Sequence, residues 1–269
     1  MLQHRARPCH ESPTCCKHHP RACAGHAVTE ALPRWERYFS PADLCSLYFV
    51  EIGANCGTDN CSHSVDPFWS YQRRYGWSGA VIEANPHTFT RLRSNYAPYP
   101  RVRPLNLAVS NVTGRLDFYC PLPGKGTAEM CTLNGEWAGR LGWQTAQHRQ
   151  QVDALSLTQL WAMLKPQRVG ILGVDVEGVE ERLLAHGELP EPRPRLVFFE
   201  NTSFGNPNVH RDGPAALRRL RANLARQGYE SKRFAESGHI QDELWVHASH
   251  RIPTSGSEMP TQAACPARA

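Results

Sequence analysis

Leu47-Tyr48-Phe49-Val50-Glu51-Ile52-Gly53-Ala54-Asn55-Cys56-Gly57 is the stretch that decides the fold. Aromatic and β-branched residues run up to a single carboxylate, and two glycines follow at the spacing G-x-x-x-G. Leu47 to Ile52 reads as a buried central strand. The glycines let the backbone turn sharply at the strand tip and approach a ligand with no Cβ in the way. In an open α/β sheet this place, outside the carboxyl end of a strand, is where a nucleotide-like cofactor binds.

A second element reinforces the first. Gly79-Ala80-Val81-Ile82-Glu83 is another short apolar run ending in a carboxylate, at the distance from the glycine loop where a ribose is gripped. Two cofactors then compete. The nicotinamide fingerprint needs G-x-G-x-x-G, and Asn55 stands where its second glycine belongs. Glu51, two residues ahead of Gly53, suits a cofactor with a cationic amino acid end, which favours S-adenosylmethionine. A nicotinamide-dependent oxidoreductase is the alternative enzyme, and it leaves Glu51 unused. A non-catalytic binding module on the same fold is the alternative from another class, and the full set of strand-tip carboxylates weighs against it.

The motifs resemble a known family. Phe49 to Gly57, then Asp66-Pro67, then Trp77-Ser78-Gly79-Ala80-Val81-Ile82-Glu83-Ala84-Asn85-Pro86 are similar to the FkbM family of S-adenosylmethionine-dependent methyltransferases. Gly173-Val174-Asp175-Val176-Glu177-Gly178-Val179-Glu180 resembles that family's D-x-E-G-x-[ED] hallmark. The resemblance runs in order from about Tyr48 to His247. It departs from the family pattern at Cys56 and around Cys61, at Ala84 where a proline is common, and at Gly173 where a lysine is common.

Outward from these motifs the chain reads as α/β. Its 269 residues suffice for one Rossmann-like core, with 41% hydrophobic residues and a net charge of +5 that does not demand a nucleic-acid partner. Asp66-Pro67 and Asn85-Pro86 each place a cap ahead of a proline, opening helices to about Tyr75 and through Tyr96. Val102 to Val109 is expected as a third strand and Arg115 to Cys120 as a fourth extended piece. Residues 121–147, rich in Gly, Pro and Thr, are expected as an irregular insertion on the substrate side. Gln151–Leu155 is extended, and Ser156 caps a helix with Leu157, Leu160, Trp161 and Leu164 in one stripe. Val169–Asp175 and Leu196–Glu200 are buried strands, Gly213-Pro214 opens a helix, and Tyr229–Phe234 pairs with Glu243–His247 as an antiparallel hairpin. The expected architecture is a Rossmann-like class I methyltransferase sheet, mostly parallel with a C-terminal antiparallel hairpin and helices on both faces. The methyltransferase domain is expected over 29–250, between a Cys/His-rich disordered tail (1–28) and a C-terminal tail (251–269). Arg218, Arg219, Arg221 and Arg226 read as a solvated helix surface rather than a phosphate site.

No run reaches the roughly 20 apolar residues of a membrane span. Cytoplasmic residence is the expectation, with an organelle or the secretory pathway left open by ten cysteines; the three formal glycosylation sequons at Asn60, Asn111 and Asn201 are close to what chance gives among 11 asparagines and decide nothing. Among the site candidates, Glu51 faces the methionine amino group, Glu83 the ribose hydroxyls, and Gly53, Ala54, Asn55 and Gly57 shape the loop. Asn106 and Ala108 are candidates for the adenine edge. Asp175 and Glu177, two apart at a strand end, should point to one side, and with Glu200 they carry the chemistry. Asp175, Glu200 and Asn201 could also form an oxygen-rich Mg²⁺-type site, although no metal is assigned. The Asn-Pro-Pro-Tyr motif of amino-directed nucleic-acid methyltransferases is absent, so the expected acceptor is a hydroxyl on a small molecule or glycan.

Overall fold

In a computed structural model, seven strands form the main sheet in the order β3-β2-β1-β7-β8-β10-β9. The structure describes residues 35–58, 66–122, 130–206, 209, 211–232, 242–250 and 265. The strands are β1 (Tyr48–Ile52), β2 (Ser78–Ile82), β3 (Val102–Leu105), β7 (Ile171–Val174), β8 (Leu196–Glu200), β9 (Tyr229–Lys232) and β10 (Asp242–His247). β10 runs antiparallel to both its neighbours, and the other pairings are parallel. β1 is flanked by β2 on one side and β7 on the other, so the order reverses there. That reversal opens a crevice at the carboxyl ends of β1 and β7.

Alternation along each strand feeds two cores. Val50, Ile52, Ala80, Ile82, Leu172, Val174, Val197 and Phe199 face one side. They pack against α5 (Leu157–Leu164), α6 (Glu180–Leu184) and, after the short α7 (Thr202–Gly205), α8 (Gly213–Arg226), through residues such as Leu160, Leu184 and Leu220. Phe49, Val81, Ile171 and Phe198 face the other side, against α2 (Pro67–Tyr75) and α3 (Pro86–Tyr96). There Trp35 packs against Phe68, Tyr71 and Trp77, with ring centroids 4.7, 5.1 and 5.7 Å apart. The expected caps form: Asp66 Oδ1 accepts from Phe68 and Trp69, Asn85 Oδ1 from His87, and Ser156 closes a capping box with Gln159. Gly173 lies against Phe68; a Cβ there would meet its ring at 2.6 Å.

The structure differs from the sequence reading after Leu105. The expected third strand divides at Asn106-Leu107, and β4 (Ala108–Val109) leaves for a second sheet of order β4-β6-β5. That sheet pairs β5 (Gly114–Tyr119) antiparallel with β6 (Arg149–Leu155), while β4 runs parallel to β6. Pro104 lacks an N–H, and Asn106 donates its side-chain amide to Glu83 O at 2.8 Å, so the chain turns off the edge of the main sheet there. The expected irregular insertion holds a helix, α4 (Gly135–Arg140), capped by Asn134 Oδ1 at Trp137 N. Residues 123–129 of it, and the expected tail 1–28, lie outside the described residues. So does most of 251–269, but Cys265 is bonded to Cys45, just after the short helix α1 (Pro41–Leu44). On α8, Arg219 binds Glu181, Arg221 binds Glu243 and Arg226 binds Asn223, as a helix surface tied into its own fold would.

Candidate active site

Gly53 turns the chain at the tip of β1 with a φ of +87°, and its N–H donates to Ile82 O at 2.9 Å. A Cβ at Gly53 would lie 1.6 Å from the carbonyl oxygen of Asp175, which shows what the glycine serves. It lets the β1 tip touch the β7 tip, where Asp175 N donates to Ile52 O at 2.9 Å. Ala54 is buried and also donates to Ile82 O at 2.9 Å. Asn55 takes a left-handed φ of +48°, and Gly57, at +66°, packs where a Cβ would strike Leu92 and Tyr96 at 2.5 Å. The glycine spacing therefore reflects close approach within the protein.

The carboxylates on this frame are unequal. Glu51 projects from β1, is 9% exposed, and its Oε2 has no hydrogen-bond partner. Burial, then the negative charges of Asp66 and Asp175, push its carboxyl well above the usual range. Such an orphaned acidic oxygen at the cleft fits a cationic amino group, which would supply the missing partner and draw the group back to its charged form. Glu83 directly follows β2, accepts from Asn85 N at 2.6 Å and is held by the N–H groups of Asn55 and Ala84. Burial nevertheless raises it to about 7. Glu83 and the glycine loop are thus one hydrogen-bonded unit. Asn106 spends its amide on Glu83 O and Ala84 O, bracing the β2 tip, while Ala108 packs in the small core with Phe118, Cys131, Val152 and Ala154.

At the next tips, Asp175, Glu177 and Glu200 bring one carboxylate oxygen each within 4.8 Å of one another. These three form the convergent group, whereas Asn201 turns its amide onto Glu243 Oε1 at 3.2 Å. The metal-type set read from the sequence, Asp175 with Glu200 and Asn201, is therefore replaced by one containing Glu177. Strand alternation does not bring Asp175 and Glu177 together either. β7 stops at Val174, and Glu177 reaches the group through a left-handed turn at φ +54°. Asp175 is open to solvent at the cleft yet walled by protein, and desolvation, followed by the charges of Glu200, Glu177 and Glu180, pushes its carboxyl well up.

Sequence reasoning did not assign the residues that hold this turn. Glu180 is fully buried and accepts from Val176 N at 2.9 Å, from Gly178 N at 3.1 Å and from Ser203 Oγ at 3.4 Å. Its signal was present as the last position of D-x-E-G-x-[ED]. Thr132 Oγ1 donates to Glu177 O at 2.7 Å, and Asn134 Nδ2 to Gly178 O at 3.3 Å. Cys131, one residue before, is bonded to Cys120, and Asn85 Nδ2 reaches its sulfur at 3.4 Å. Residues 131–134 therefore join the β2 tip to the Glu177 turn, a link between distant segments that no local pattern announces.

Known proteins place these features in context. The chain is 25% identical over 125 residues to the 2-O-methyltransferase NoeI of Sinorhizobium fredii (strain NBRC 101917 / NGR234), covering 44% of this chain and about half (51%) of that protein's length. An O-methyltransferase from Bacillus cereus in complex with SAH superposes with a TM-score of 0.41 and 12% identity, over 88% of this chain and 93% of that one. Fibrillarin from Aeropyrum pernix, with natively bound S-adenosyl-L-methionine, gives 0.37 and 9% over 79% and 75%. Likenesses this distant say nothing of what this chain binds. The family profile described as the methyltransferase FkbM domain matches residues 51–231, two thirds of the chain and all of the strand tips that form the cleft, and the chain belongs to that family of S-adenosylmethionine-dependent methyltransferases.

Proposed function

We propose that this chain transfers a methyl group from S-adenosylmethionine to a hydroxyl oxygen of a sugar or other small molecule. The observation that carries the reading is the convergence of Asp175, Glu177 and Glu200 within 4.8 Å, beside the loop that Glu51 and Glu83 flank. The cofactor supplies an activated methyl group. Everything else falls to the protein. Glu51 receives the amino group, Glu83 the ribose hydroxyls, and the Gly53–Gly57 loop gives the methionine end room. A hydroxyl acceptor must lose a proton, and three carboxylates this close cannot all carry charge. With the cluster's proton resting on Asp175, Glu177 is the group assigned to receive the hydroxyl proton, aimed by its left-handed turn and by Thr132. Glu200 completes the group and orients the acceptor. A hydroxyl methylated at oxygen agrees with the name of the NoeI relative, which the chain matches over about half that protein's length.

Calorimetry with S-adenosylmethionine and its demethylated product, followed by transfer of a labelled methyl to a panel of hydroxyl acceptors, tests the proposal. Saturable binding and label on oxygen are expected. Absence of binding at millimolar cofactor, or label found on nitrogen, would overturn it. Loss of activity on chelation with recovery on adding Mg²⁺ would reassign the three carboxylates from proton acceptors to cation ligands. No helix of the described residues is long and apolar enough to cross a membrane.

A further inference from the structure

Two sets of residues that the proposed chemistry does not use point the same way. The first is the cysteines. Cys45 and Cys265 are joined across 220 residues of sequence, and Cys120 and Cys131 across 11. Cys56 is also disulfide-bonded, and no described cysteine is free. A bridge between opposite ends of the domain forms only because the fold brings the two thiols together. Structural disulfides persist in oxidising compartments and are rare where glutathione and thioredoxin keep thiols reduced.

The second is the sequons, which the structure separates. Asn60 lies outside the described residues. Asn201 is half-buried at the end of β8, beside Glu200, with its amide on Glu243. Asn111 is different. It sits on the bend between β4 and β5 with Asn111, Val112 and Thr113 all exposed, Val112 to 49%. Ser110 Oγ donates to Asn111 Oδ1 at 3.3 Å, and no described residue takes a hydrogen bond from its Nδ2. The bend lies at the Gly114 end of β5, whereas the Cys120–Cys131 bridge beside the cleft lies past its Tyr119 end. Five residue steps of strand separate them, about 17 Å. A bulky substituent on Asn111 would project into solvent and leave the cleft open.

We propose that Asn111 is an N-glycosylation site, modified as the chain passes through an oxidising secretory compartment rather than the cytoplasm. The donor is a lipid-linked oligosaccharide diphosphate. A bond forms between Asn111 Nδ2 and the anomeric carbon, the anomeric C–O bond to the diphosphate breaks, the lipid diphosphate leaves with the electron pair, and the amide proton passes to a base of the transferase. Asn201 stays unmodified, because a glycan there would occupy the strand tip that carries Glu200. This inference does not depend on the methyl-transfer reading.

The test uses the full chain isolated from the cells that make it. Enzymatic removal of glycans in heavy-oxygen water, then tryptic digestion, should yield the peptide Val102–Arg115 with Asn111 converted to labelled Asp, and Asn201 unlabelled. Alkylation without reduction should leave Cys45, Cys120, Cys131 and Cys265 unlabelled, and alkylation after reduction should label them. N111Q expressed in the same cells should lose one glycan's mass while unfolding at a temperature close to the parent's. A bare Asn111, a glycan on Asn201, or cysteines that alkylate without reduction would each overturn the proposal.

Discussion

Replacing Glu180 tests whether the turn that carries Glu177 depends on a buried acid. Its carboxyl titrates near 4.5 in an unfolded chain and near about 7 in the fold, where burial is the main cause. Between those values the folded state holds the extra proton. The stability this group contributes is therefore fully present below about pH 4.5 and lost as the pH rises through about 7. At about 1.4 kcal/mol per pH unit, the interval corresponds to roughly 3 kcal/mol. Glu180→Gln is neutral throughout. Its amide oxygen can accept from Val176 N, and its NH₂ can donate to Ser203 Oγ, imitating the protonated acid. Urea unfolding from about pH 5 to about pH 7 should then lose stability less steeply than the parent, by up to about 1.4 kcal/mol per pH unit. Glu180→Ala strips the acceptor from Val176 N, Gly178 N and Ser203 Oγ together. At about 1–3 kcal/mol for each buried group left unpaired, reduced by any water that enters, a loss of about 2–5 kcal/mol is expected at every pH. Turnover should fall with it, because Glu177 loses its support. A Gln variant with the parental pH slope, or an Ala variant unfolding at the same urea concentration as the Gln variant, would refute the reasoning.

Three further outcomes follow from the same geometry. Glu83→Ala removes a charged partner for the ribose and should weaken cofactor binding by about 1.5–3 kcal/mol in calorimetry, with turnover at saturating cofactor within a few-fold; an equal fall in kcat would contradict a binding role. Glu177→Gln should do the reverse, lowering kcat by about 10²–10⁴ while cofactor affinity holds, and full activity in this variant alongside a dead Asp175→Asn would move the base to Asp175. Gly53→Ala places a methyl 1.6 Å from Asp175 O and should abolish the thermal shift given by cofactor, so an unchanged shift would show that the two strand tips separate freely.

Most of the sheet was legible because its signals are local. Phe49-Val50 and Val81-Ile82 alternate between two cores, and Asp66-Pro67 and Asn85-Pro86 announce their helices without any knowledge of the rest of the chain. The second sheet was not legible, since β4 carries only two residues and its partner β6 lies some 45 positions away. The carboxylates of the site were found as strand-tip residues, but the grouping of Glu177 with Asp175 was inferred from strand alternation that ends one residue too early. Glu180 was quoted within a motif without a role, because a side chain that folds back onto Val176 and Gly178 leaves no periodicity to read. The purpose of Gly53 likewise needed the position of Asp175, 122 residues later.

The small sheet has a bearing on how such a protein diversifies. Its first and last strands lie side by side, Ala108 opposite Ala154, with Ser110 N donating to Leu155 O at 3.0 Å. The intervening chain thus leaves the domain and returns at nearly one point, the arrangement that best tolerates lengthening or wholesale exchange of what lies between. That same chain supplies Thr132 and Asn134 to the Glu177 turn, while the Gly53 loop, Glu51 and Glu83 belong to the main sheet. On the proposed reading, in which that chain borders the acceptor, it can be remodelled as a cassette while the Gly53 loop stays fixed, and chimaeras joined at Ala108 and Ala154 would graft one acceptor preference onto another donor site.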